Sequence, residues 1–123
     1  MHSTLMIFLG GGLGSICRYG ISVLLAPFIL RFPMATLLSN AIACFLLGIF
    51  LSLHFDGYIA EPRRLFLITG FCGGFSTFST FTIETLQLYQ REGITMVLAN
   101  VVLNLSVCFL CVLLGLKIVN YGD

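Results

Sequence analysis

Gly70-Phe71-Cys72-Gly73-Gly74-Phe75-Ser76-Thr77-Phe78-Ser79-Thr80-Phe81-Thr82 lies in the third of four apolar segments, where a lipid-facing helix would carry Leu, Ile and Val. It holds instead three glycines, five hydroxyl side chains and four phenylalanines. Glycines weaken a helix and let another backbone come close. Hydroxyls and freed carbonyls at membrane depth need polar partners, a cavity or an ion. Two readings are open at this point: a glycine-rich face for helix packing, and a polar pathway lined by ring edges. The density of Ser, Thr and Phe, followed by Glu84, favours the pathway.

The surroundings of that stretch are membrane-like. The 123 residues are 59% hydrophobic and 9% charged. A soluble domain of this size cannot hide that much apolar surface. The expected fold is therefore an all-α membrane protein with the lipid bilayer as a partner. A net charge of +1 offers no basic patch, which excludes nucleic acid. A spanning helix needs about 20 apolar residues. Four stretches meet this: Leu5 to Leu30, Met34 to Phe55, Leu65 to Tyr89 and Thr95 to Val119, so residues 1–123 read as one four-helix domain. Short loops favour antiparallel packing of consecutive helices. The first apolar stretch is longer than a signal peptide and lacks a Lys/Arg run before it, so it is read as retained. Cys17, Cys44, Cys72, Cys108 and Cys111 all fall inside apolar segments without ligand spacing and read as small buried hydrophobes.

Charge leaves the orientation balanced. Arg31 and Arg91 fall on one side of the membrane; Arg63, Arg64 and Lys117 fall on the other, with the amino terminus. The positive-inside rule reads such differences, and two against three is hardly a bias. Insertion in both directions, and pairing of two opposed copies, is one outcome; a single topology set by the weak bias is the other.

Several polar residues stand out along the segments. Arg18 lies deep in the first, beyond comfortable snorkelling, where an Arg costs about 2.5–3.5 kcal/mol on insertion scales. It is either a structural cation bonded to helix carbonyls or a cation that draws anions into a vestibule. Gly10 and Gly14, like Gly11 and Ser15, stand four apart, a spacing that lets helices approach. Thr36 and Asn40 share a face of the second helix. The Asn amide can donate to an anion or bond between helices. Asn100, Asn104 and Cys108 form a stripe on the fourth. In the third, Thr77, Thr80 and Glu84 share a face beside a stripe of Phe71, Phe75 and Phe78, with Phe81 at its border. Aromatic rings have positive edges, so Phe78 and Phe81 can face a small anion without a full charge. Glu84 would repel anions in an open pore and is assigned to pairing or protonation.

These residues resemble the Fluc (CrcB) fluoride channels, a family of small four-helix proteins. The family's Gly-Gly-x-x-Gly-Ala/Ser-x-x-Arg-Tyr/Trp motif reads from Gly10 to Tyr19. Its Thr-Leu-x-x-Asn-x-x-Gly-x-x-x-x-Gly motif reads from Thr36 to Gly48, with Ala43 replacing one Gly. Its Gly-x-x-Gly-Gly-x-Ser/Thr-Thr-Phe-Ser-Thr-Phe-x-x-Glu signature runs from Gly70 to Glu84 with every fixed position matched. The resemblance implies an antiparallel, dual-topology homodimer in the bacterial inner membrane, with a break in the third helix. It implies two pores through which fluoride leaves the cell passively down its gradient. It also implies a structural Na⁺ at the dimer centre, held by the backbone carbonyls of Gly73 and Ser76. The rings correspond to Phe78 and Phe81 and the pore amide to Asn40. Ser79 and Thr80 match the polar track, and Arg18 matches the vestibule arginine. On the fourth helix, where the family's polar track often carries Ser or Tyr, the stripe here is Asn100, Asn104 and Cys108, of which Asn104 supplies a donor and Cys108 a weak one.

Other classes fit less well. A small multidrug-type exporter of cations needs an acid in its first helix, and this chain has Arg18 there. A structural subunit of a membrane complex would pass no ions alone. An enzyme is not expected, because no His/Glu pair and no Ser with a base is present and Glu84 alone cannot do acid–base chemistry.

Overall fold

The computed structural model describes residues 2–28 and 31–120. Its elements are α1 (His2–Leu25) with a 3₁₀ turn (Ala26–Phe28), α2 (Met34–Phe55), α3 (Glu61–Arg64), a π-helical stretch (Leu65–Cys72), α4 (Gly73–Phe75), α5 (Phe78–Glu92) and α6 (Ile94–Asn120). α3 to α5 run in series and form the third span. Among the described residues, four helical runs are long and apolar enough to cross a membrane: His2–Phe28, Met34–Phe55, Glu61–Glu92 and Ile94–Val119. No strand occurs among the described residues. The first run gives way to a 3₁₀ turn around Pro27, whose ring removes a donor and restrains the residue before it. Ile29 and Leu30, the expected end of the first segment, lie outside the described residues.

Local chemistry explains the turns. Gly57 (φ 81) and Gly93 (φ 83) take left-handed conformations that suit glycine. Gly93 ends α5 by donating its N–H to Tyr89 O at 3.2 Å, and it alone separates α5 from α6. At the opposite end, Pro62 opens α3, and Arg64 grips Glu61 through two bonds of 2.8 and 2.6 Å. His54 Nδ1 lies 3.1 Å from Ile59 O and ties the α2–α3 loop back to its helix.

Glycine decides the packing. A Cβ on Gly10 would overlap Phe66 O, one on Gly14 would overlap Phe71 O, and one on Gly74 would overlap Gly11 O. A Cβ on Gly70 would come within 2.9 Å of Ile7 O. α1 and the third span therefore cross backbone to backbone. Gly48 and Gly115 do the same for α2 and α6, where an added Cβ would overlap Val112 O and Phe45 O. Numbers rise together along both pairs, so the partners are parallel. This corrects the expectation from short loops: the closest neighbours are not consecutive antiparallel helices but alternate, parallel ones. Loop length governs the turn, while the smallest faces govern which helices approach. Ala43, at the motif position read as Gly in the family, is buried at 2% exposure and borders a cavity of about 150 Å³ with Cys72, Gly73 and Ser76.

Candidate anion pathway

Between α4 and α5 the backbone leaves the helix. Ser76 (φ −74, ψ 154) and Thr77 (φ −151, ψ 120) are extended. Thr77 caps α5, its hydroxyl oxygen accepting from Thr80 N at 3.3 Å. Its own N–H, which would close the next turn on Gly73 O, donates instead to Asn40 Oδ1 at 2.8 Å. The Gly73 and Ser76 carbonyls thus lose their ordinary helical donors, Thr77 N and Thr80 N, to side chains. The next carbonyl, Gly74 O, accepts from Arg18 Nε at 3.2 Å and Ser15 Oγ at 3.5 Å. Arg18 is bonded to a helix carbonyl and also lines a cavity.

Two cavities flank this region. The first, about 340 Å³, brings Asn40, Phe78, Phe81 and Asn104 together with Cys44, Leu105, Cys108, Phe109 and Val112. The Phe78 and Phe81 rings lie 5.6 Å apart at 37°. Among the described residues, no fully charged group lines it. The second, about 300 Å³, is polar: Ser15, Arg18, Tyr19, Ser22, Thr36, Ser39 and Thr80. Thr77 Oγ1 donates to Thr80 Oγ1 at 3.1 Å and Thr77 N–H to Asn40, so Thr77 bonds to one residue of each cavity. Ser79 is exposed, 3.3 Å from Thr77 Oγ1, and lines neither. Thr36 is buried beside the Glu84 carboxyl. Glu84 faces a third cavity with Arg31, Gln87 and Arg91, away from the rings. Its Oε2 is buried with no hydrogen-bond partner among the described residues.

The amides continue the network. Asn40 Nδ2 donates to Asn104 Oδ1 at 3.3 Å. Asn104 Nδ2 donates to Asn100 O at 3.1 Å and Asn100 Oδ1 at 2.9 Å. Asn100 Nδ2 donates to Thr85 Oγ1 at 2.9 Å. Sequence reasoning put Asn104 at the cavity, where it lies, but missed that both its protons are engaged by Asn100. It also missed Thr85 and Cys44. Helical spacing carried the signal for Thr85, which follows Phe81 by one turn, and for Cys44, which follows Asn40 by one turn.

The family model for CrcB-like protein, Camphor Resistance (CrcB), matches residues 5–116. The chain belongs to the CrcB family. Among curated relatives, the fluoride-specific ion channel FluC of Pyrococcus abyssi is 46% identical over 116 residues, covering 94% of both chains. That of Saccharophagus degradans is 40% identical over 120 residues, covering 94% of this chain and 90% of its own. That of Azobacteroides pseudotrichonymphae is 37% identical over 112 residues, with 89% and 90% covered. With four spans, this CrcB member is a multi-pass inner-membrane protein.

Proposed function

We propose that this chain is a fluoride-selective channel through which F⁻ leaves the cell passively, lowering cytoplasmic fluoride. One observation carries the reading: in a chain 46% identical to a fluoride-specific channel, Asn40, Phe78 and Phe81 line one cavity that lacks a full charge. Moving even a carboxylate-sized ion into a dry interior costs of order 20 kcal/mol in the Born limit, and fluoride is smaller. A selective pore must replace water with several weak donors and still release the ion. An amide N–H and ring edges are such donors. Arg18, Thr36, Ser39 and Thr80 supply the wetter vestibule from which an anion reaches them.

The working unit is an antiparallel, dual-topology homodimer with two pores. Its support is that Phe78 is 79% exposed and Gly73 and Ser79 are exposed beside freed backbone in the middle of a span. Lipid cannot satisfy such groups; an opposed second copy can. The Gly73 and Ser76 carbonyls, short of helical donors, are hard oxygen ligands suited to Na⁺. They would hold it at the dimer centre, where its charge would offset nearby helix C-termini. The interrupted third helix is what frees them.

The test is fluoride efflux from liposomes holding the purified protein, with chloride as control. Fast fluoride loss without chloride loss supports the channel, and Phe78→Ile or Phe81→Ile is expected to abolish it. A folded protein that passes nothing points to a structural subunit.

Cys44 and Cys108 add a second check. Both line the ring cavity and contact each other. Soft cations favour thiolates, so Hg²⁺ is expected to stop fluoride efflux. The double substitution Cys44→Ala, Cys108→Ser is expected to remove that block. An unchanged block would take the thiols out of the pathway.

A further inference from the structure

We propose that Asn104, Asn100 and Thr85 form a one-way hydrogen-bond relay that holds the Asn40 amide with its spare N–H toward the ring cavity. Asn100 and Thr85 are then positioning residues for permeation, although neither lines that cavity. The functional half of this inference rests on the channel reading above; the structural half does not.

The relay has one polarity because both ends are chemically fixed. A backbone N–H can only donate, so the Asn40 atom 2.8 Å from Thr77 N is the carbonyl oxygen. The Asn40 nitrogen then faces Asn104, so the Asn104 atom 3.3 Å away is also oxygen. Asn104 is left with its nitrogen on Asn100, where one proton meets the side-chain oxygen and the other the backbone oxygen. At the far end, the Thr85 hydroxyl has a single proton, and it goes to Phe81 O at 2.6 Å. Thr85 Oγ1 can therefore only accept from Asn100 Nδ2. Flipping any one of the three amides would set donor against donor. The orientation of side-chain amides is ordinarily ambiguous; here a pure donor and a pure acceptor remove the ambiguity.

The count of protons gives the consequence. Asn104 borders the cavity but both its N–H groups are taken. Asn40 has one N–H on Asn104 and a second with no protein partner among the described residues, in a side chain that borders the cavity. That second N–H is the amide donor left for an anion. Asn100 is 0% exposed. A polar side chain that deep in a membrane bundle is costly unless hydrogen-bonded, and its bonds lead to Asn104 and Thr85. The relay also begins at the backbone of Thr77 and ends at the backbone of Phe81. It therefore ties the amide to the same helical turn that carries the Phe78 and Phe81 rings.

The test uses the full-length chain in liposomes and in nanodiscs. Thr85→Val keeps the shape and removes the acceptor for Asn100; Thr85→Ser keeps the acceptor. Fluoride efflux is expected to slow by about tenfold in Thr85→Val, the scale of one lost hydrogen bond, and to stay at the wild-type rate in Thr85→Ser. The second readout needs no flux. With ¹⁵N-asparagine labelling, the Asn40 side-chain resonances, assigned by their loss in Asn40→Ala, are expected to move in Thr85→Val and return in Thr85→Ser. Wild-type efflux and an unmoved Asn40 signal in Thr85→Val would overturn the relay. If the wild-type chain itself passes no fluoride, the channel reading fails and the Asn40 resonances alone decide the relay. If Thr85→Val does not fold, Asn100→Ser, too short to reach Asn104, is read by the same two measurements.

Discussion

Gly14→Ala is expected to prevent the bundle from forming, while Gly12→Ala, two residues away, leaves it intact or slightly firmer. A methyl on Gly14 would overlap Phe71 O and stand 2.8 Å from Phe75 N and 3.1 Å from Gly74 C. All three neighbours are backbone, so no rotamer change relieves the clash, and α1 must back away from the third span. Overpacking costs about 1–3 kcal/mol where side chains give way. Against backbone on both sides, the cost is expected to pass the top of that range. Such a loss is large beside a total stability of about 5–15 kcal/mol. Retreat of α1 would also pull Arg18 from Gly74 O. Gly12 has nothing within 4 Å of an added methyl, and Ala there gains up to about 1 kcal/mol of helix propensity. Size-exclusion profiles and thermal unfolding of the two variants in detergent give the comparison. Equal behaviour would show that the α1 crossing is looser than its geometry says.

Asn40→Asp is expected to fold and to pass almost no fluoride. The carboxylate keeps an oxygen for Thr77 N–H but has no proton for Asn104 Oδ1, and it sets a negative charge at the ring cavity. Two unit charges 4 Å apart repel by about 4 kcal/mol at an effective dielectric of 20. That corresponds to roughly a thousandfold loss of occupancy. Electrode-monitored efflux beside the wild type measures it. Undiminished fluoride flux through Asn40→Asp would remove this residue from the pathway, whatever the standing of the rings.

The sequence was most legible where a single segment sufficed. Apolar length located all four spans, and the composition from Gly70 to Thr82 marked the third as unlike a lipid-facing helix. Phe78 and Phe81 read correctly as neighbours because helical spacing is a local property, whereas Thr36 and Asn40, read as one face, line different cavities. What could not be read was the meeting of segments. Glycine spacing announced that Gly10 and Gly14 would touch something, but not that the partner would be Gly70 and Gly74 on a parallel helix. Helical spacing placed Asn100 and Asn104 on one stripe. It could not reveal that Asn104's protons would turn to Asn100 while its oxygen took the proton of Asn40, because that depends on three elements meeting. Cys108 shows the same limit: its side in α6 was plain, and its presence in the cavity depended on how closely Gly48 and Gly115 draw the helices together.

The parallel pairing bears on how the chain is made. The contact between α2 and α6 joins residues 64 apart in sequence, and that between α1 and the third span joins residues 59 apart. Non-local contacts of this kind must wait for the intervening chain. α2 therefore enters the bilayer with its Gly48 groove unfilled; the third span answers the Asn40 oxygen through Thr77, but the groove and the Asn40 N–H that meets Asn104 wait until α6 leaves the ribosome. A nascent chain halted before Gly115 has every span but the last and half of its bundle unclosed. Synthesis of the final helix, rather than insertion of any earlier one, is the step that commits this protein to its fold, and a stall there would leave the polar face of α2 open to whatever helices pass by.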